Sequence, residues 1–385
     1  MTPLRALFQP ISIGKLTIAN RIVMAPMTRS FCPEGTPSQL VADYYRRRAE
    51  NKVGLIITEG VGINHPAAIG DSGLGDNNQP ILHGEAALEG WRKVVEDVHA
   101  AGGLIAPQLW HQGPLRINGT GLHPEAPSCR PSGIWGPKDG NNPFPPELLA
   151  KVLKPTTAMT EEDIADTIAA FASSAANAKA VGFDAIAIHG AHSYLIDAFI
   201  WQVTNQRTDR WGGSLANRLR YGVEVIKGIK KAVGDLPIIY RFSQWKQSDF
   251  DAQIATTPQE LEQILGSFAD AGVDAFDASA RRYEVPAFPD YDEHLSLAGW
   301  AKKLTGKPAM AVGGIGLKKD IYSSMASGGS DTSDNIMDVD KRIASGEFDF
   351  ACVGRALIAD PEWARKTAEN EPCQALSMEQ LASLY

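Results

Sequence analysis

Short apolar runs rich in valine, isoleucine and alanine recur along the chain, separated by longer amphipathic stretches. This alternation is typical of βαβ units and a parallel sheet. The run from Gly54 to Gly60 is apolar almost throughout, as expected of a parallel strand that is buried on both faces. The eight predicted strands are Arg21–Pro26, Gly54–Gly60, Leu104–Trp110, Asp184–Gly190, Pro237–Ser243, Val273–Ser279, Pro308–Ile315 and Phe348–Arg355.

Two of the amphipathic stretches begin with recognisable helix caps. Thr160 precedes an alanine-rich stretch and has Asp163 three residues later, where an acidic side chain complements the helix dipole. Thr257 is followed by proline at the first helical position and by Glu260 at the third. Strands that alternate with helices favour a single α/β domain over residues 1–385, a closed (β/α)₈ TIM barrel, with an open doubly wound sheet as the alternative.

Three segments interrupt this alternation. Phe8–Ile18 has the pattern of a hairpin that turns at Gly14, and we expect it to cover the bottom of the barrel. After the third strand, residues 112–159 are rich in proline, glycine and asparagine and predict a loop-rich excursion over the barrel mouth. Residues 323–340 are polar and acidic, and they predict a surface loop in place of part of the helix expected between the last two strands.

Composition and charge narrow the class of protein. The 385 residues are 44% apolar and 21% charged, which is ordinary for a globular enzyme, and the formal net charge is −8. The basic cluster Arg46–Arg48 is expected on the solvated face of a helix, so nucleic acid is not a predicted partner. No apolar run approaches the ~20 residues of a membrane helix, and residues 1–14 lack a signal-peptide pattern, so we expect a cytoplasmic protein with no membrane partner.

Reactive residues gather at the ends of the predicted strands. In an α/β barrel, catalytic groups come from the C-terminal ends of several strands, so this distribution fits an enzyme on this fold. Glycines after the last two strands let backbone N–H groups approach a phosphate, and Arg355 adds a charged contact, although a tight turn explains Gly313–Gly316 about as well. The strand ends contain Pro26–Thr28, Glu59–Gly60, Gln108–His111, His189–Tyr194, Arg241, Gly313–Gly314 and Gly354–Arg355.

His189, His192 and Tyr194 lie within six residues of one another at the end of the fourth predicted strand. Neutral imidazole N–H groups can polarise a carbonyl or nitro oxygen, and a phenol beside them can deliver a proton. Zinc binding and buried structural histidines are the alternatives, but zinc needs a third ligand, and no nearby cysteine or histidine is evident. The four cysteines are too far apart for an iron–sulfur cluster, so no metal is predicted.

Several motifs follow one another between about residue 5 and residue 370. They are Asn20–Arg29, Thr58–Gly60, Gln108–Trp110, His189–Asp197, Asn205–Asp209 with Gly212-Gly213, and Val353–Arg355. Together they resemble the old yellow enzyme family of FMN-dependent ene-reductases. This resemblance implies FMN at the mouth of the barrel and NADPH or NADH as the reductant.

The resemblance also implies which residues hold cofactor and substrate. Thr28 would bond flavin O4, Gln108 would contact the pyrimidine edge, and Arg241 would place positive charge near N1. The implied flavin-binding residues are Ala25, Pro26, Met27, Thr28, Gly60, Gln108 and Arg241, with Gly313, Gly314, Gly354 and Arg355 holding the phosphate. The implied substrate-binding residues are Trp110, His189, His192 and Tyr194.

The implied reaction has two halves at one site. The reduced nicotinamide gives hydride to the flavin and leaves, and an α,β-unsaturated carbonyl or nitro compound then accepts hydride, with Tyr194 as proton donor. Ping-pong kinetics and a monomer or homodimer are expected. The alternatives are a demethylase, isomerase or desaturase on the same barrel, a flavin redox sensor without turnover, and a metal-dependent barrel hydrolase.

Some residues depart from the family pattern. Ser193 stands where glycine is usual, and Ala198–Gln202 differs from the usual Gln-Phe-Leu-Ser-Pro. Trp201 and Trp245 are expected to line or narrow the pocket, with buried packing as the alternative. Tyr283, Phe288 and Tyr291 follow the sixth strand, and they predict either a substrate lid or simple surface packing.

Overall fold

Eight parallel strands close into a barrel in the computed structural model, which describes residues 5–73 and 77–385. Neighbouring strands pair in chain order, and the last strand also pairs with the first. The barrel strands are β3 (Ile22–Met24), β4 (Leu55–Gly62), β5 (Ile105–Trp110), β6 (Ile186–His189), β7 (Ile238–Phe242), β8 (Ala275–Ser279), β9 (Ala309–Val312) and β11 (Phe350–Val353). The predicted (β/α)₈ barrel is confirmed, and the open sheet is wrong.

Helices surround the barrel and bury their apolar sides against it. Thr160 and Asp163 form a reciprocal cap, because each residue's side chain accepts the other's backbone N–H. Thr257 likewise accepts the backbone N–H of Glu260. The helices are α1 (Gln39–Glu50), α2 (Glu85–Ala100), α3 (Pro146–Val152), α4 (Glu161–Val181), α5 (Leu195–Ile200), α6 (Leu215–Val233), α7 (Pro258–Ala271), α8 (Leu297–Thr305), α9 (Ile321–Ala326), α10 (Ile336–Ala344), α11 (Arg355–Ala359), α12 (Trp363–Glu369) and α13 (Met378–Leu381).

The N-terminal hairpin closes the bottom of the barrel, as predicted. Its strands are β1 (Ile11–Ile13) and β2 (Leu16–Ile18), which pair antiparallel. Gly14 has φ +55°, a backbone conformation that glycine adopts without strain in the turn. Ile13 and Ile18 are fully buried, and they belong to the same apolar cluster as residues of the barrel strands.

The prediction of a surface loop over residues 323–340 is wrong. Helix α9 ends inside this segment, β10 (Gly329–Ser330) follows, and α10 begins at Ile336. Strand β10 pairs with β12 (Leu376–Ser377) near the end of the chain. Val339 and Ile343 are buried at helical spacing, so a few apolar contacts outweigh the polar composition of the segment.

The excursion over residues 112–159 is loop-rich, as predicted, and contains the short helix α3. It packs against the segment after β7, where Phe250 donates its backbone N–H to the carbonyl of Asn141 at 2.6 Å. Arg116 is fully buried and holds the excursion together by donating to backbone carbonyl oxygens such as that of Ala126, at 2.7 Å.

The basic cluster in α1 is not solvated throughout, contrary to expectation. Arg48 is fully buried and donates to the carbonyl oxygens of Tyr44 and Leu357. Its guanidinium also lies 3.8 Å from the centre of the Tyr44 ring.

Among residues 5–73 and 77–385, no helix has the length and apolar character needed to cross a bilayer.

Candidate active site

Every residue that the sequence predicts for cofactor and substrate lines one cavity at the carboxyl ends of the barrel strands. The cavity volume is ≈570 Å³, within the range of about 300–1,000 Å³ that small-molecule sites occupy. The predicted residues in its walls are Ala25, Pro26, Met27, Thr28, Gly60, Gln108, Trp110, His189, His192, Tyr194, Arg241, Gly313, Gly314, Gly354 and Arg355. Barrel closure brings them together because parallel strands end at the same rim.

The two histidines and the tyrosine form one cluster at the end of β6. The His189 ring lies 5.3 Å from that of His192 and 4.6 Å from that of Tyr194, both in edge-on contact. Burial lowers the pKa of both imidazoles well below their usual value, and the nearby Arg241 lowers it further. Both imidazoles are therefore neutral near pH 7 and can donate N–H without carrying charge.

The backbone of this cluster has an unfavourable conformation and is held by hydrogen bonds. His192 and Ser193 have φ of +64° and +71°, which is a left-handed conformation. This conformation explains why the family pattern has glycine where this chain has Ser193. The Ser193 N–H donates to the carboxylate of Asp197 at 2.7 Å. The Ser193 hydroxyl lies 2.8 Å from that of Ser248, so the serine has hydrogen bonds that glycine could not make.

A buried ion pair holds Asp197, which accepts the hydrogen bond from the Ser193 backbone. Asp197 lies 2.6 Å from the ammonium of Lys246, and both side chains are fully buried. Burial raises the pKa of the carboxyl and lowers that of the ammonium, while their mutual attraction opposes both shifts. This pair is not among the residues predicted from the sequence, although Asp197 is a lone acid in the apolar run 195–200, which signals that it requires a partner.

The strands on either side of β6 offer hydrogen-bond donors that have no protein partner. Arg241 donates its Nε to Asp277 at 2.6 Å, and Asp277 is buried in β8. One further guanidinium nitrogen of Arg241 and the amide nitrogen of Gln108 are buried without a hydrogen-bond partner. Such donors cost about 1–3 kcal/mol each unless a ligand accepts their hydrogen bonds. The carbonyl oxygens and ring nitrogens of a flavin fit these donors.

The far end of the cavity fits a phosphate. Gly313 has φ +131°, and a Cβ there would lie 2.5 Å from the carbonyl oxygen of Ala280. Gly314 has φ +74°, so both positions favour glycine. Arg355 lines this end and is anchored by the carbonyl oxygens of Lys319 and Asp320 at 2.9 and 3.0 Å. Glycine backbone and a guanidinium together form an anion site.

The loop that follows β3 is held by a buried carboxylate. Glu59 accepts the backbone N–H groups of Arg29 and Ser30, at 2.8 and 3.2 Å. Burial raises the pKa of Glu59 to about 7. The Arg29 guanidinium also donates to the carbonyl oxygens of Gln380 and Leu381, at 3.2 Å each. The segment near the end of the chain therefore packs against this loop.

Further residues line the cavity that the sequence did not single out. The segment after β7 contributes Gln247, the end of β8 contributes Ser279, and the segment after β8 contributes Arg281. Later parts of the chain contribute Tyr322, Met325, Met378 and Leu381. Trp245 also lines the cavity, as predicted, and stacks on His192 with ring centres 4.3 Å apart. Trp201 does not reach the cavity, and so the expectation that it lines the pocket is wrong.

The predicted aromatic lid does not form. Tyr283 is buried and donates its hydroxyl to Asp338 at 2.8 Å. Phe288 is buried beside Trp300, with ring centres 5.7 Å apart, and Tyr291 is exposed. None of the three lines the cavity, because local packing behind the rim holds the first two.

A cluster of two histidines and one cysteine lies outside the cavity. Within the described part of the chain, His65, His111 and Cys129 are the one group of three such residues with ligand atoms close together. Nδ1 of His111 accepts the N–H of Gly113 at 3.0 Å, and its Nε2 lies 3.4 Å from Nδ1 of His65. Metal-binding histidines usually donate a second N–H, so this geometry indicates a neutral hydrogen-bonded pair. His189 and His192 belong to no such group.

A (β/α)₈ barrel with unpartnered donors on one wall and a glycine–arginine anion site at the far end defines the class of FMN-binding barrel proteins. Comparisons with known proteins make the assignment specific. Residues 6–374 match the model of the NADH:flavin oxidoreductase / NADH oxidase family. The chain belongs to this family of FMN oxidoreductases, and its predicted resemblance to the old yellow enzymes is confirmed.

Individual relatives agree with this assignment. An NADH oxidase from Thermoanaerobacter brockii is 36% identical over 380 residues, 96% of this chain but 52% of that relative, so the chain spans about half its length. An NADPH dehydrogenase from Bacillus subtilis (strain 168) is 31% identical over 372 residues, 95% of each chain. The solved structure of the old yellow enzyme homologue from Zymomonas mobilis has a TM-score of 0.75 at 26% identity, covering 98% of this chain and 96% of that one.

Proposed function

We propose that this protein reduces activated C=C bonds of α,β-unsaturated carbonyl or nitro compounds, with NADPH or NADH as hydride donor and a ping-pong order of reaction. The observation that carries the proposal is the neutral pair His189 and His192, which lies beside Tyr194 in the cavity that holds the unpartnered donors of Gln108 and Arg241.

The histidine pair suits an acceptor on which negative charge develops. Preorganised N–H donors stabilise such charge more strongly in a buried site than in water. His192 is held by its contact with the Ser279 hydroxyl, 3.1 Å from its Nε2, and by the ring of Trp245. Held in this way, the imidazole can direct an N–H at a carbonyl or nitro oxygen without moving during the reaction.

Tyr194 is placed to deliver the proton. Its ring is fixed by edge-on contacts with Trp110 and His189, with ring centres 4.9 and 4.6 Å away. A phenol is a weak acid, but a carbanion is a much stronger base, so the transfer is favourable without strong activation of the phenol. The same residue contributes nothing to the transfer of hydride from the nicotinamide donor.

The cofactor supplies the two-electron chemistry: when bound, FMN accepts hydride from the nicotinamide and passes it to the acceptor. Thr28, Gln108 and Arg241 would hold its ring system, and Arg241 would stabilise negative charge there. The glycines at 313, 314 and 354 and Arg355 would hold its phosphate. The donor follows from the relatives described above, which are named for NADH or NADPH.

Anaerobic stopped-flow measurement of the two half-reactions tests the proposal. The FMN-loaded protein should be reduced by NADPH or NADH and reoxidised by 2-cyclohexenone. Tyr194→Phe should slow reoxidation by about 10²–10⁴-fold, the usual contribution of a general acid, and leave reduction unchanged. Tyr283→Phe, which removes a hydrogen-bonded phenol outside the cavity, is the control. Absence of reoxidation by any activated alkene, or equal losses in both half-reactions, would contradict the proposal.

A further inference from the structure

Arg281 lies in the cavity wall just after β8, and not all of its N–H donors have a hydrogen-bond partner. One of its terminal nitrogens donates to Asp320 at 3.0 Å. Its Nε is buried and has no hydrogen-bond partner. The side chain as a whole is 34% exposed, so the guanidinium lies near the mouth of the cavity rather than at its base.

The other arginines of the cavity form hydrogen bonds or an ion pair within the protein. Arg29 donates to backbone carbonyl oxygens near the end of the chain, and Arg355 to those of residues 319 and 320. Arg241 is bound to Asp277 with only 7% of its side chain exposed. Arg281 is therefore the cavity guanidinium best placed to meet a ligand that extends out of the mouth.

Aromatic rings connect Arg281 to the reactive end of the cavity. Its guanidinium lies 4.9 Å from the centre of the Phe250 ring and 5.4 Å from that of Tyr322, contacts that hold it in place. Phe250 contacts Trp245, with ring centres 6.0 Å apart, and Trp245 stacks on His192. A ligand that is bound by the histidines and extends along this wall would reach Arg281.

We propose that Arg281 binds the pyrophosphate of the dinucleotide hydride donor, an inference that rests on the proposed function and deepens it. The planar guanidinium offers paired N–H donors that match phosphate oxygens. Asp320 does not lose all its partners when Arg281 turns to a phosphate, because it also accepts the N–H of Ser323 at 2.9 Å, at the start of α9. A positive group at the mouth also offsets the net charge of −8, which repels anionic ligands.

The test compares donors with and without phosphate in the reductive half-reaction. Arg281→Met keeps an unbranched apolar side chain in place of the arginine stem and removes the charge. The donor concentration for half-maximal reduction should rise about tenfold or more with NADH and NADPH, as expected for the loss of a charged hydrogen bond. Reduction by 1-benzyl-1,4-dihydronicotinamide, which carries no phosphate, should stay unchanged. ADP-ribose, titrated calorimetrically, should also bind more weakly to the variant.

Arg282→Met is the matched control, because the neighbouring Arg282 bonds to Glu284 and the carbonyl of Lys318 and does not line the cavity. Equal losses with both kinds of donor, no change with NADH, or a loss confined to reoxidation by a carboxylated enone would overturn the assignment. If no donor reduces the flavin of the wild-type protein, the proposed function itself fails, and the benzyl donor distinguishes the two failures.

Discussion

The side-chain amide of Gln247 donates a hydrogen bond of 3.2 Å to the phenolic oxygen of Tyr194. The phenolic oxygen is the acceptor of this bond, so the bond itself does not use the phenolic proton. The same bond stabilises the phenolate that would remain after proton transfer. Gln247 lies between Lys246 and Ser248, which brace Asp197 and Ser193, so one loop positions the whole histidine–tyrosine segment.

Replacing Gln247 by leucine should therefore impair the proton-transfer half of the reaction. Reoxidation of the reduced enzyme by 2-cyclohexenone should slow about tenfold, the effect of losing one charge-assisted hydrogen bond, while reduction by NADPH stays unchanged. Its pH profile should also change, with the loss of activity at high pH moving to still higher pH. Gln263→Leu on the exposed face of α7 is the control, and a loss shared by both half-reactions would contradict the prediction.

Breaking the buried pair of Asp197 and Lys246 should destabilise the fold. Lys246→Met leaves a fully buried carboxylate without its counter-ion, and removal of one partner from such a pair typically costs about 3–5 kcal/mol. Urea denaturation measures the change in the free energy of unfolding. The double variant Lys246→Met, Asp197→Leu should recover part of the loss, because no charge then stays buried. A double variant with the sum of both single losses would rule out this coupling.

Protonation of Glu59 should make stability depend on pH. Its pKa in the folded protein is about 7, above the ordinary value of 4.5, so the folded state binds this proton more tightly than the unfolded chain does. The stabilising contribution of this proton to the free energy of unfolding is fully present below pH 4.5 and is lost as the pH rises through about 7.

Glu59→Gln should flatten the fall in the free energy of unfolding across this window. Denaturation curves on either side of it provide the measurement. The exposed Glu162→Gln serves as the control and should keep the wild-type slope. If the slope persists in Glu59→Gln, another group is responsible for it.

Alanine at Gly313 should weaken FMN binding. The added Cβ would lie 2.5 Å from the carbonyl oxygen of Ala280, and φ of +131° disfavours any side chain, so the segment must shift away from the phosphate end. The dissociation constant, from quenching of flavin fluorescence, should rise about tenfold or more, because phosphate contacts are charge-assisted. Gly346→Ala has a similar backbone strain at φ +81° but an open surrounding, and its FMN affinity should stay at the wild-type value.

Residues near strand ends could be placed from the sequence, whereas those that act through long-range contacts could not. Gly60 and Gln108 each end an apolar run, and a parallel barrel brings all such ends to one rim. Asp277 carried a usable signal, since a charged residue inside the buried strand β8 requires a partner. Gln247 and Arg281 carried none, because nothing in their neighbourhood along the chain indicates which cavity they face.

The sequence-based predictions that proved wrong also failed because of long-range contacts. Residues 323–340 have the composition of a loop, yet Val339 and Ile343 bury against the barrel once the chain returns to it. Trp201 and Tyr283 lie in segments adjacent to the site but are directed into local packing instead.

The sequence by itself determined the periodicity of strands and helices and the set of residues at the strand ends that form the ring at the mouth, because hydrophobic spacing is a local property of the chain. Only the tertiary structure decided which loops cover that ring and how Tyr194, Arg241 and Arg281 are partnered. Those choices depend on packing between segments that lie far apart in sequence, where no local pattern specifies the neighbour.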